Sequence, residues 1–318
     1  MNVKSPGARV ACLLALIASS ASFGAIKNNY IAPEARSVEG GRDVQVVVAQ
    51  AEIRPNINVS NVTAATGGGL LFALIDAGIN NSRAKEAEKT VVPLREALVG
   101  YEFDQHAQTA SAATLSSLGW FDPKQAQVAK DDSQVGLLAA IDAANTPQIM
   151  LLRYSYETNA EFTSLIVNLN ASLVNKKIPQ GKKSDARLAP KNLAYNQSFR
   201  SMITLPGSNS KDPAANVQAW SADNGKLARA ALDLGVERCQ LLLKRGLEMT
   251  AADATSIQKR NKRQLSPVAG VPGWVLESDG SHTLIYEGLM GTLTQVEPAA
   301  AGAPAAATTP AAPAVAAQ

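Results

Sequence analysis

The chain has 318 residues, of which 46% are hydrophobic, enough for a core of one large domain or two small ones. Thirty Lys and Arg against 27 Asp and Glu give a formal charge of +3, which excludes the strongly basic balance of a nucleic-acid binder. Aromatics at 5% are sparse for a protein that grips sugars or bases by stacking.

Residues 1–24 place Lys4 and Arg9 before an apolar stretch from Val10 to Ala18 and then small residues. This is the charge, core and cleavage-site layout of a secretory signal peptide, with cleavage expected near Ala21 to Ala25. The apolar stretch is about half the roughly 20 residues that a spanning helix needs. Cys12 precedes most of that stretch, so lipidation is not expected. Removal of the leader leaves Cys239 as the one thiol, in an apolar helical pattern that predicts a buried, unpaired side chain.

After a lead over 25–42, an α/β module is expected over 43–250. It opens with a valine-rich run from Asp43 to Ile53, bounded by turn signals, which predicts a central strand. The segment "TGGGLLFALIDAGINNSR" follows at 66–83. Leu70 after Gly69 excludes a phosphate loop, which needs Lys and Ser or Thr there, and the glycine spacing of a dinucleotide fingerprint is absent. Over 67–79 the spacing predicts an apolar helix with Gly69, Ala73 and Ala77 on one face, a pattern that lets another backbone approach closely. Such a helix is about 20 Å long against roughly 30 Å of hydrocarbon, and Asp76 further opposes insertion. The Gly69, Ala73 and Ala77 face, with Leu70 and Leu74, is therefore a candidate packing or partner face, covered by its own domain or by a subunit, another protein or a lipid headgroup zone.

Residues 84–118 predict a long, bent amphipathic helix, with a start or kink near Val92 before Pro93 and a second piece capped by Asp104. The stretch 126–130 reads as an edge strand, and 132–145 as a short helix capped by Asp132 or Ser133. Period-two alternation is clearest next. Met150, Leu152, Tyr154 and Tyr156 face a core in one strand, and Leu165, Val167, Leu169, Ala171 and Leu173 do so in the next. The short link around Asn159 makes these two a hairpin. A basic stretch at 175–192 reads as a solvated tip. Leu193, Tyr195, Phe199 and Ile203 predict a third antiparallel strand with an irregularity near Gln197.

A helix is expected from about Val217 to Met249, packing through Ala228, Ala231, Leu232, Gly235, Cys239, Leu242 and Leu243. The charged 258–263 reads as a linker, and 251–297 as linker plus a small β region with a turn at Asp279-Gly280. The Ala/Pro tract at 298–318 reads as a disordered tail. The expected class is α/β (α+β): a mixed sheet with a three-strand antiparallel meander packed by two long helices, plus a small C-terminal β-hairpin.

The order of strand, long helix, weak strand, short helix, three strands and long helix resembles the α/β modules of exported envelope proteins. These are the CsgG-like curli-secretion lipoproteins, the penicillin-binding-protein activator lipoproteins and the TolB N-terminal domain. Valine-rich 44–49 stands as the opening strand, Leu94 to Leu118 as the first helix and Met150 to Ile203 as the meander. The resemblance implies an exported, partner-binding protein of the Gram-negative envelope and carries no catalytic residue with it.

Chemistry-bearing residues are few. His106 and His282 are far apart and neither has a Cys or carboxylate at metal-ligand spacing. Glu277, Ser278, Asp279, Ser281 and His282 cluster in sequence, but neighbours in a tight turn point different ways and make no triad. No catalytic, cofactor-binding or metal-binding residue is assigned. The leading expectation is a non-enzymatic periplasmic or secreted binding or assembly module, whose partner is an envelope protein or a second copy, with no nucleic acid. Two alternatives stand beside it: a secreted hydrolase or transferase built on distant groups such as Glu157, Glu161 and His282, and a protein making peripheral membrane contact.

Overall fold

The computed structural model describes residues 30–57, 70–261, 266–268, 271–287 and 291–299. The expected leader, Gly69 and positions 300–318 lie outside the described residues, as do the side chains of 70–79. The expected Gly69, Ala73 and Ala77 face, with Leu70 and Leu74, therefore falls outside them too, although the backbone from Leu70 onward is helical.

The elements in chain order are α1 (Pro33–Arg36), β1 (Arg42–Val47), β2 (Arg54–Pro55), α2 (Leu70–Thr90), α3 (Val92–Ala97), α4 (Phe103–Ser116) and β3 (Pro123–Ala129). They continue with α5 (Gln134–Ala143), β4 (Gln148–Thr158), β5 (Ser164–Asn175), β6 (Tyr195–Thr204), α6 (Pro213–Glu248) and α7 (Ala251–Asn261). The last strands are β7 (Ser266–Val268), β8 (Val271–Ser278), β9 (Thr283–Glu287) and β10 (Thr292–Pro298). The mixed sheet runs β3-β1-β4-β5-β6-β10-β9-β8-β7, with β2 added to the end of β4. β1 is parallel to both β3 and β4, β4-β5-β6 is the antiparallel meander, and β10 lies parallel to β6.

Helices α4 and α6 cover one face. The predicted inward sets of β4 and β5 are buried there with Tyr195, Phe199 and Ile203 of β6, against Phe103, Leu115, Leu232, Val236 and Leu243. Burying each such side chain stabilises the fold by about 1.5 to 3 kcal/mol. Gly235 and Gly246 set the approach of α6: a Cβ on Gly235 would lie 2.6 Å from a Val167 methyl, and one on Gly246 2.8 Å from the Phe199 ring. On the opposite face α5 covers only the β1/β4 end, where Leu137 and Ile141 pack on Val47, Ile149, Leu151 and Val174.

Several expectations are corrected. The valine-rich strand stops at Val47, and from there the Gln50 side chain takes over the role of a strand neighbour: its amide donates to Tyr156 O at 2.7 Å and accepts from Tyr156 N at 3.1 Å. The helix over 84–118 is three pieces. As expected, one break falls just before Val92, ahead of Pro93, and the loosening at Gly100 is a full second break, its φ of 75° ending the helical path. Asp104 lies inside the first turn of α4 rather than capping it, and pairs with Lys130; Ser133, as expected, caps α5 by accepting from Gly136 N at 3.1 Å.

The irregularity near Gln197 is absent, because β5 and β6 pair without a slip from Ser164↔Thr204 to Leu173↔Tyr195. Helix α6 starts at Pro213 under an Asp212 cap and is interrupted at Ala222–Gly225, where Asp223, Asn224 and Gly225 take positive φ. The expected linker at 258–263 is helical through Asn261. In the basic stretch, Arg187 is only 3% exposed and pairs with Asp142 at 2.8 Å, so that stretch is not wholly solvated. The expected C-terminal hairpin is present, β8 and β9 pairing antiparallel across the turn at Asp279-Gly280, but through β10 it continues the main sheet instead of standing apart. Pro298 and Ala299 consequently belong to the sheet end and not to the tail, Ala299 N donating to Thr204 O at 2.8 Å.

Candidate ligand-binding face of the sheet

Side chains alternate across a strand, so the residues of β4, β5 and β6 that do not face α6 share the other face. The register aligns them in rows perpendicular to the strands. One row is Ser155, Asn168, Arg200 and Thr294, and the next is Arg153, Asn170, Ser198, Thr292 and Glu287. Apolar residues bound the rows on both sides: Ile166, Met202, Val296 and Val271 towards one end of the strands, and Leu151 and Val174 under α5 towards the other. The result is a polar trough across β4, β5, β6, β10 and β9, about 19 Å long at roughly 4.8 Å per strand.

The trough is a connected network. Arg200 donates through Nε to Asn168 Oδ1 at 2.9 Å and through Nη1 to Glu287 Oε1 at 2.8 Å, and Thr294 donates to the same carboxylate. Asn168 Nδ2 reaches Glu157 Oε1 at 3.3 Å, and Asn170 Nδ2 reaches Ser198 Oγ at 3.1 Å. Ser172 donates to Asn196 Oδ1 at 3.0 Å. The Arg200–Glu287 pair cancels its own charge. Arg153, exposed at the β4 end, makes no ion pair among the described residues. At the β10/β9 end Thr292, Thr294 and Glu287 are buried, whereas Ser155, Asn168, Asn170, Asn196, Ser198 and Arg200 on β4 to β6 are partly exposed and already oriented by one another, so these fixed amides and hydroxyls can read the hydrogen-bonding pattern of a ligand without reorganising.

A hollow of about 660 Å³ opens at the Glu157 and Arg200 end. The structure brings Glu157 and Glu161 into its lining with Arg200 and Glu287, whereas His282 is not among the lining residues. His282 sits in the β8–β9 turn, its Nδ1 3.1 Å from Asp279. The Asp279 carboxylate accepts from Ser281 Oγ, His282 N and Ser281 N, and these hydrogen bonds hold it down to about 2. Glu277 turns away to Arg245 at 2.5 Å, so this sequence cluster is a turn with a structural ion pair beside it.

His106 has company that its sequence position does not show: Nδ1 lies 3.8 Å from Asp233 of α6, whose Oδ1 accepts from Tyr101 at 2.7 Å. Burial, followed by the Asp233 hydrogen bond, raises the Tyr101 hydroxyl well above its ordinary value. Cys239 is buried and free, and burial pushes its thiol up to about 12. Among the described residues no cluster of His, Cys, Asp and Glu is placed to hold a metal ion, and no helix is long and apolar enough to cross a membrane.

Sequence reasoning placed Asn168, Asn170 and Ser172 off the core but gave them no role, and passed over Asn196, Ser198 and Arg200. A usable signal was present. A strand with neighbours on both sides that carries Asn-x-Asn-x-Ser on one face leaves that face wet in the middle of a sheet, where helices would otherwise cover apolar side chains. Comparison with protein-family models, with curated proteins and with solved structures finds no match to this chain.

Proposed function

We propose that the chain is a non-enzymatic binding or assembly module of the bacterial cell envelope, exported to the periplasm or beyond, and that the polar trough is the surface it offers to its partner. The observation that supports this reading is the network from Glu157 through Asn168 and Arg200 to Glu287 on a sheet face left partly exposed. Export rests on the leader-like residues 1–24, and the envelope setting on an element order that resembles that of CsgG-like, penicillin-binding-protein-activator and TolB N-terminal modules. A photo-crosslinking amino acid placed at Ser198, in the trough, and separately at exposed Glu237 on α6 tests the reading in intact cells. One discrete adduct from position 198 and none from 237 is the expected outcome; equal labelling from both, or none from either, overturns it.

A second reading, a hydrolase or transferase, draws on Glu157 and Glu161 lining one hollow. Release of soluble fragments from isolated envelope material by the native chain, lost in Glu157→Gln, is the result that would favour it.

A further inference from the structure

The α5 end of the trough opens into a second hollow, of about 370 Å³, which carries charge of both signs and an apolar wall. Its size is within the range of small-molecule sites. Arg153 and Asp132 both line it. Both are exposed, and neither makes an ion pair with the other or with any described residue. Leu137, Leu151, Leu188 and Leu193 supply the apolar lining.

Hydrogen-bonding capacity is also unspent there. Asn196, a lining residue, uses its Oδ1 to accept from Ser172 at 3.0 Å and from Asn170 at 3.4 Å, while its Nδ2 donates to no described residue. The hollow also adjoins the start of the ten-residue helix α5, whose N-terminus is already served by Ser133 Oγ on Gly136 N at 3.1 Å and by the Asp131 carboxylate on Ser133 N at 2.9 Å. Arg153 and Asn196 Nδ2 suit a carboxylate, Asp132 suits an ammonium, and the leucines suit an aliphatic side chain.

We propose that this hollow binds a free amino acid with an aliphatic side chain, held by its carboxylate on Arg153 and Asn196 and by its ammonium on Asp132. The inference rests on the reading of this sheet face as a binding face and names the ligand class of one end of it. An isolated surface Arg and Asp would show no such preference for a zwitterion. The two charges line the same hollow as the leucines and leave each other unpaired, and a ligand carrying both opposite charges beside one aliphatic group satisfies all three features together.

Isothermal titration of the mature chain with L-leucine, N-acetyl-L-leucine, L-leucinamide and L-serine tests the proposal. Leucine binds saturably, and each of the other three binds at least tenfold more weakly. In Arg153→Ala the preference for leucine over leucinamide disappears, and in Asp132→Asn the preference over N-acetyl-leucine disappears, with circular dichroism unchanged because both positions are exposed. No saturable binding of leucine at 10 mM, or binding indifferent to blocking either charge, overturns the proposal. Loss of leucine binding with a surviving adduct at position 198 removes this inference and leaves the partner-binding reading standing, whereas the reverse result removes that reading alone.

Discussion

Gly235 lies mid-helix in α6, where glycine ordinarily weakens a helix by about 0.5 to 1 kcal/mol relative to alanine. Propensity alone therefore predicts that Gly235→Ala stabilises the protein. Packing predicts the opposite. The added Cβ would meet Val167 Cγ2 at 2.6 Å and Cβ at 3.3 Å, and Val167 belongs to a central strand that cannot retreat without disturbing its pairing to Tyr156 and Ser201. Overpacking of this kind costs about 1 to 3 kcal/mol, so the net expectation is a loss of about 1 to 2 kcal/mol. With a urea slope of about 3 kcal/mol/M the midpoint falls by roughly 0.5 M. The decisive measurement is the double-mutant cycle with Val167→Ala. Removing the methyl that clashes leaves the nearest Val167 atom at 3.3 Å, so the double variant is expected to be more stable than the sum of the single effects by about 1 kcal/mol or more. Additivity, or a stabilised Gly235→Ala, would refute the close approach of α6 to β5 on which the whole helix-covered face depends.

Arg42 is 1% exposed and donates to Gln148 Oε1 and to the carbonyls of Ala35, Arg36, Trp120 and Phe121. Arg42→Met is expected to cost about 3 to 5 kcal/mol in urea denaturation, because it leaves buried carbonyls unpaired where three segments meet. Cys239, with its thiol pushed up to about 12, is expected to resist alkylation by iodoacetamide at pH 8 in the folded chain and to react once the chain is unfolded in urea. Asp279 is held down to about 2 in the folded state. Its contribution to the β8–β9 turn is therefore complete above its unfolded value near 3.9 and is lost as pH falls from about 4 towards 2, which an NMR titration of the Ser281 and His282 amides will follow. A flat response of those amides across that range would contradict the turn geometry.

Strand periodicity made the centre of this protein legible. The alternation of Met150 to Tyr156 and of Leu165 to Leu173 identified two paired strands and their buried faces, and the small-residue face of α6 identified its packing side, because both follow from local period and side-chain size. Three kinds of feature were not local. The interruption of α6 depended on the positive-φ run at Asp223 to Gly225, whose backbone can be read only in place. The C-terminal strands looked self-contained because their hairpin turns are local, whereas the parallel register of Thr292 to Pro298 on Ser198 to Thr204 joins segments some 90 residues apart and leaves no spacing signal. The buried role of Arg42 left no local signal, because its partners come from three separate stretches: the carbonyls of Ala35 and Arg36, those of Trp120 and Phe121, and the side chain of Gln148.

The candidate site follows the same division. The sequence by itself determined that Asn168, Asn170 and Ser172 point away from the core, since side-chain alternation admits no other direction once Leu169 and Leu173 are buried. Only the tertiary structure decided what stands beside them: Arg200 and Glu287 across the strands, Arg153 and Asp132 at one end, and an α5 that stops short of covering the row. Neighbours across a sheet are set by register and by the packing of other elements, and neither is written in the residues of a single strand.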